Sequence, residues 1–217
     1  QPRSRGLGDV YKRQLADSMA MWRSLGVDYL KSHGVDITSK DAQEMTTMSL
    51  KMSSTYMKEK FNLSLTPDEI YNDMKHIAED FYEHYCTLKH GAKDVLDRFY
   101  EEGIPMMLGT GTPEEFFDPF LKREDMFKYF DEIATCDGLN LKKDDPNFFL
   151  TCCEMAGFDP KETVLIDDAY FAIIAAKEAG LTTICMYDEA NDNMLRELSL
   201  KSDLFISDLS VLKKIFL

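Results

Sequence analysis

Apolar residues in this chain recur with two different periods, and the change falls near residue 90. Before it the spacing is helical. Leu15, Met19, Trp22, Leu25 and Leu30 form one stripe and predict a helix over residues 15–33. Thr38 and Asp41 make a capping-box pattern that opens a second helix to about Lys60, with Met45, Met48, Met52 and Tyr56 on one packing face. Thr66, Pro67 and Glu69 supply a cap, a first-turn proline and a glutamate three residues on. They start a third helix that reaches about Cys86. No strand pattern interrupts residues 15–88.

After Gly91 short apolar runs alternate with helical stretches. A helix at 92–102 stops at Gly103. Strands are expected at 104–110, 132–136, 163–168, 182–188 and 203–206. Helices are expected from Thr112, Pro146, Tyr170 and about residue 191, with one more at the C-terminus. Such alternation predicts the α/β class: a Rossmann-like, doubly wound parallel sheet with helices on both faces. Residues 15–18 and 89–217 are expected to form that core, and 19–88 an inserted small helical cap domain. The linkers near 16–18 and 88–91 would be hinges. Residues 1–14 carry Arg3, Arg5, Lys12 and Arg13 against the single acid Asp9 and show neither period. They read as a non-native or disordered segment standing where an apolar first strand would open the sheet.

Composition narrows the function classes. With 44% apolar and 29% charged residues over 217 positions, the chain can bury an ordinary core. A net charge of −14 disfavours a nucleic-acid partner. No apolar run reaches a membrane span, and no signal-peptide core follows the basic start. Five cysteines without framework spacing read as reduced thiols, so a cytoplasmic location is expected. A monomer is expected as well. The adjacent Cys152 and Cys153 read as packing. His76, Asp80 and His84 stand four apart and could face a metal. Without a third His or Cys ligand near them, they read as a solvated helix face.

In an open parallel sheet, ligands bind beyond the carboxyl ends of the strands. Thr110 ends one expected strand, and Asp167-Asp168 end another. Lys143 lies between them in sequence, just before Asp144-Asp145-Pro146 and a helix. Singly these are a turn hydroxyl, a solvated lysine and a helix-terminal acid pair. As a set they make an anion-plus-metal pocket. Thr110 can donate to a phosphoryl oxygen, Lys143 can neutralise another, and the two acids can hold Mg²⁺.

The order Thr, Lys, Asp-Asp resembles the second, third and fourth motifs of the haloacid dehalogenase-like superfamily. LGTGTP resembles the second, KKDDP the third, and LIDDAYFAIIAAKEAG the fourth with its helix. The helical block resembles the cap of the β-phosphoglucomutase-like branch. The resemblance implies a Mg²⁺-dependent phosphomonoester hydrolase acting on a small phosphorylated metabolite through an aspartyl-phosphate. It implies phosphate binding by Thr110, Gly111, Thr112 and Lys143, and metal binding by Asp167 and Asp168. The family's first motif, Asp-x-Asp-Gly-Thr-Leu, is matched only in its tail, by LADS at 15–18. Val10 holds the nucleophile position and Lys12 the acid–base position. The chain itself is therefore expected to be inactive, and the protein carrying the intact motif active. In the family the first strand lies between those of Thr110 and Asp167.

Three rival functions fit the residues less well. Dehalogenases usually lack the acid pair. Mutases of the β-phosphoglucomutase type carry a His where Trp22 aligns. A non-catalytic pseudoenzyme or receiver-like binding protein would keep an apolar first strand, or place its acids ahead of the Thr and Lys.

Overall fold

The computed structural model describes residues 15–46, 48–188, 192 and 194–216. Val10, Lys12 and the rest of the segment 1–14 lie outside them. The chain divides into a helical unit, Ser18–Cys86 with Glu115–Phe120, and an α/β unit built from 15–17, Thr87–Glu114 and residues from Leu121 on.

The helical unit holds α1 (Met19–Ser32), α2 (Ser39–Thr46), α3 (Leu50–Phe61) and α4 (Pro67–Asp80), the last continued by a π-helical turn, Phe81–Tyr85. The predicted capping box opens α2: Thr38 N–H donates to Asp41 Oδ2 at 2.9 Å and Asp41 N–H to Thr38 Oγ1 at 3.2 Å. The helix expected to run unbroken to Lys60 is two helices. Ser49 starts the second by accepting the Met52 amide at 3.2 Å, and one good cap inside an apolar stripe is enough to restart the helix. The break also splits the methionine face. Met45 is buried, Met52 is 60% exposed, and Met57 is the fully buried methionine of α3. Gly26 explains the closeness of that packing, because a Cβ there would stand 2.9 Å from the Met57 methyl. Leu25, Tyr29, Leu30, Ile70 and Met74 complete this core. Thr66 and Glu69 form a full capping box at α4. His76 and His84 are exposed and pair along the helix with Glu79 and Asp80.

The α/β unit contains α5 (Ala92–Glu101), β1 (Met107–Thr110), α6 (Glu114–Arg123, whose middle belongs to the helical unit), β2 (Glu132–Thr135), a four-residue α7 (Cys136–Leu139) and α8 (Pro146–Ala156). Then come β3 (Val164–Asp167), α9 (Tyr170–Glu178), β4 (Thr182–Met186), α10 (Leu195–Lys201), β5 (Leu204–Ile206) and α11 (Leu212–Phe216). Among the described residues all pairing between these strands is parallel. β1 pairs with β2, and β3 with β4 and then β5. Among the described residues no pairing joins β1 to β3. Helices tie the two pieces together: α8 packs on β1 and β2, α9 on β3 and β4, and α8 on α9. Met107, Phe148, Phe149, Leu165 and Ile173 therefore share one core. Buried strands without alternation are what a sheet covered on both faces requires.

The two linkers are paired. Ala16 bridges Leu88 antiparallel, Asp17 N–H donates to Thr87 O at 2.8 Å, and Lys89 N–H to Leu15 O at 2.6 Å. No helix among the described residues is long and apolar enough to cross a membrane.

Candidate active site

β3 is an apolar, buried run that ends on Asp167, so the strand carries a carboxylate to its C-terminal end with no exposure at all. The chain then turns on that carboxylate: Asp167 Oδ1 accepts the Ala169 amide at 2.7 Å, an Asx-type turn. Asp168 follows at 3% exposure. Lys143 approaches from the loop before α8. Asp145 caps that helix by accepting the Asn147 amide at 2.9 Å, and Pro146 begins it. This fixes the loop, and Lys143 turns inward from it. Its ammonium bonds Asp167 Oδ2, and both side chains are almost wholly buried, 5% and 0% exposed. The ammonium also lies 5.7 Å from the centre of the Phe149 ring, within cation–π range.

β1 delivers Thr110 in the same way. The residue is buried, and its Oγ1 accepts the Thr112 amide at 3.0 Å. That bond uses the hydroxyl as an acceptor and leaves its proton for donation. Thr112 is buried beside it, while Gly111 is exposed.

The structure thus joins Lys143 to the acid pair directly, and it sets Thr110 and Thr112 at the end of the other sheet of the same unit. Two features escaped the sequence reading. Cys185 stands opposite Asp167 in the β3–β4 register. Burial, with the charges of Asp167 and Asp168, pushes its thiol up to about 12. Lys89 also pairs with Asp188 just past β4, at 2.7 Å. Neither contact is visible without the strand register, because each joins segments distant in sequence.

A model of haloacid dehalogenase-like hydrolases matches residues 14–186. The chain belongs to that family. One relative, the "Probable phosphoglycolate phosphatase" of Pseudomonas putida, is 34% identical over 94 residues, which are 43% of this chain and 38% of that protein. The chain thus spans well under two thirds of it. Hexitol phosphatase B of Escherichia coli strain K12 is 25% identical over 174 residues, 78% of each chain. Among solved structures, a "putative beta-phosphoglucomutase" from Thermotoga maritima shares the fold, with a TM-score of 0.82 at 19% identity over 97% of this chain and 100% of that one.

Among the described residues no group of three or more His, Cys, Asp or Glu side chains is gathered as a metal cage. The donor chemistry of the acid pair nevertheless suits a hard cation. Carboxylate oxygens with water completing the shell are how Mg²⁺ is usually held. Asp167 serves the Ala169 amide and Lys143, so it could only share an oxygen with an ion.

Proposed function

We propose that this site handles phosphoryl groups, as part of a Mg²⁺-dependent phosphomonoesterase for small metabolites. One observation carries the reading: a buried lysine bonded to the first of two adjacent buried carboxylates, at the carboxyl end of a parallel strand. A buried ion pair is a poor stabilising device, because desolvation offsets most of its attraction. It makes sense where a strongly anionic ligand and a cation are to be received together. Lys143, with three donors, can serve Asp167 and a phosphoryl oxygen at once. Thr110 donates its hydroxyl proton to a second oxygen, and Gly111 and Thr112 line the approach. Asp168 would hold Mg²⁺, with Asp167 sharing the oxygen it gives to Lys143. Bound there, the ion would draw charge from the transferring group.

The remaining chemistry comes from the resemblance. One aspartate attacks phosphorus, and a second protonates the leaving oxygen and activates water. Val10 and Lys12 occupy those positions here. We therefore assign ligand binding without turnover to this chain, and expect turnover from a version that carries the intact motif. The phosphatase names of the relatives favour a small phosphorylated substrate. Trp22 stands at the mutase histidine position and donates its indole N–H to Tyr82 Oη at 2.9 Å, which favours hydrolysis over isomerisation. Five free thiols, four of them buried, suit a reducing compartment.

The test is release of p-nitrophenol from its phosphate ester, with and without Mg²⁺. It compares this chain with a version whose residues 1–14 are replaced by an apolar strand ending Asp-x-Asp-Gly-Thr. Mg²⁺-dependent turnover is expected in the second alone. Equal turnover in both, or none in either, overturns the assignment.

A further inference from the structure

The helical unit contains a cavity that the phosphoryl chemistry does not use. It holds about 350 Å³ and lies between α1 and the end of α4 with its π-helical turn. From α1 come Leu25, Asp28 and Tyr29, a helical spacing that puts them on one face. From the other wall come Ile77, Phe81 and Tyr85. The π turn closes with the Cys86 amide on Phe81 O at 2.8 Å, five residues back. Such widened turns concentrate at functional positions.

Three properties define what the cavity would accept. Its walls are mainly aromatic and aliphatic, and two of the large side chains are left open to solvent: Ile77 at 46% and Tyr85 at 67%. Its charged lining is wholly anionic, Asp28 and Asp80, with no Lys, Arg or His. Among the described residues the Asp28 carboxylate makes no hydrogen bond or ion pair, and that of Asp80 meets only its own-helix neighbour His84. Tyr29 is held in place by its hydroxyl, which donates to Asp73 Oδ2 at 2.9 Å, so the floor is fixed. Aromatic faces beside carboxylates are the surroundings that attract an organic cation.

We infer that this cavity is a binding site for a small organic ammonium ion: an apolar or aromatic body against Ile77, Phe81 and Tyr85, its amine held by Asp28 and Asp80. The inference is independent of the phosphoryl site, since every group it uses lies within the helical unit.

The probe is 2-phenylethylamine, titrated into the full chain at pH 7 and followed by the ¹³C-methyl signal of Ile77 and the ring signals of Tyr85. Saturable shifts confined to this cavity are expected. The uncharged analogue 2-phenylethanol is expected to bind at least about fivefold more weakly, and Asp28→Asn with Asp80→Asn to weaken the amine by about the same factor. Both acids are exposed, so the variants should melt as the parent does, and Tyr85→Ala gives a second check through loss of the apolar wall. Equal affinity for the alcohol, an unchanged affinity in the double variant, or shifts scattered outside the cavity would each overturn the inference.

Discussion

Of the lysines that hold aspartates in this protein, two, one in each unit, do so in contrasting surroundings. Lys143 and Asp167 are 5% and 0% exposed. Lys60 is 38% exposed, bonds Asp41 and reaches Glu44 at 3.4 Å. This half-exposed cluster ties α2 to α3: Asp41 is nearly buried, with 10% of its side chain exposed, while water still reaches Lys60 and Glu44. The buried pair has no such alternative. In the first the attraction is nearly balanced by what solvent would offer. In the second each charge depends on the other, and the loss of one strands its partner in a poorly polarisable interior. The same residue types thus serve as a fastening on the surface and as an electrostatic commitment at the site.

The sharpest way to break this contrast is to remove one buried charge. Lys143→Ala is expected to destabilise the chain by about 3–5 kcal/mol in urea unfolding, because Asp167 and Asp168 lose the cation beside them. Replacing both partners together, Lys143→Met with Asp167→Leu, should recover much of that loss, since a well-packed apolar pair needs no compensation. A double variant as unstable as the single one would mean that packing, rather than charge, sets the cost. Lys60→Ala, by contrast, should keep the melting temperature within about 3 °C of the parent.

Salt separates the two pairs next. At about 1 M salt the screening length falls to roughly 3 Å, and exposed attractions fade while buried ones persist. The small effect of Lys60→Ala should therefore vanish between 0.05 and about 1 M NaCl, and that of Lys143→Ala should stay nearly constant. A Lys143→Ala effect that also vanished would show that water reaches the site.

The contrast also marks how far the sequence could be read. Local signals were legible. The Thr66–Glu69 capping box starts its helix, and Gly157, at φ +70°, ends another as the residue that tolerates that backbone. Strand ends at Thr110 and Asp167 followed from apolar runs that stop on polar residues. What stayed hidden depends on other parts of the chain. Ser49 restarts a helix inside a stripe that reads as continuous, and nothing in the spacing of Phe81–Tyr85 announces a π turn. The set Thr110, Lys143, Asp167, Asp168 was visible as an order of residue types. The bond of Lys143 to Asp167 spans 24 positions and needs the α8 loop folded against β3. Cys185 beneath the acids is a consequence of register alone.

The smallest expected effect is in acid, and it tests the half-exposed cluster from the other side. Lys60, then the hydroxyl and amide of Thr38, hold the Asp41 carboxyl well below the usual carboxylate range. A carboxyl lowered in the native state stabilises the fold fully above its unfolded value, near 3.8, and that contribution is lost as pH falls through the lower native value. Lys60 is the largest cause, so its removal should raise the native value toward the ordinary one while the Thr38 bonds still hold it somewhat low. The difference in melting temperature between parent and Lys60→Ala should therefore be flat from pH 7 down to about 5. It should then narrow steadily below about 3.8 as Asp41 is protonated in the unfolded chain first. A gap that opened near neutral pH would implicate a different group. One that stayed constant down to pH 2 would show that Lys60 acts through contacts other than its bond to Asp41, such as its ammonium 4.9 Å from the centre of the Tyr56 ring.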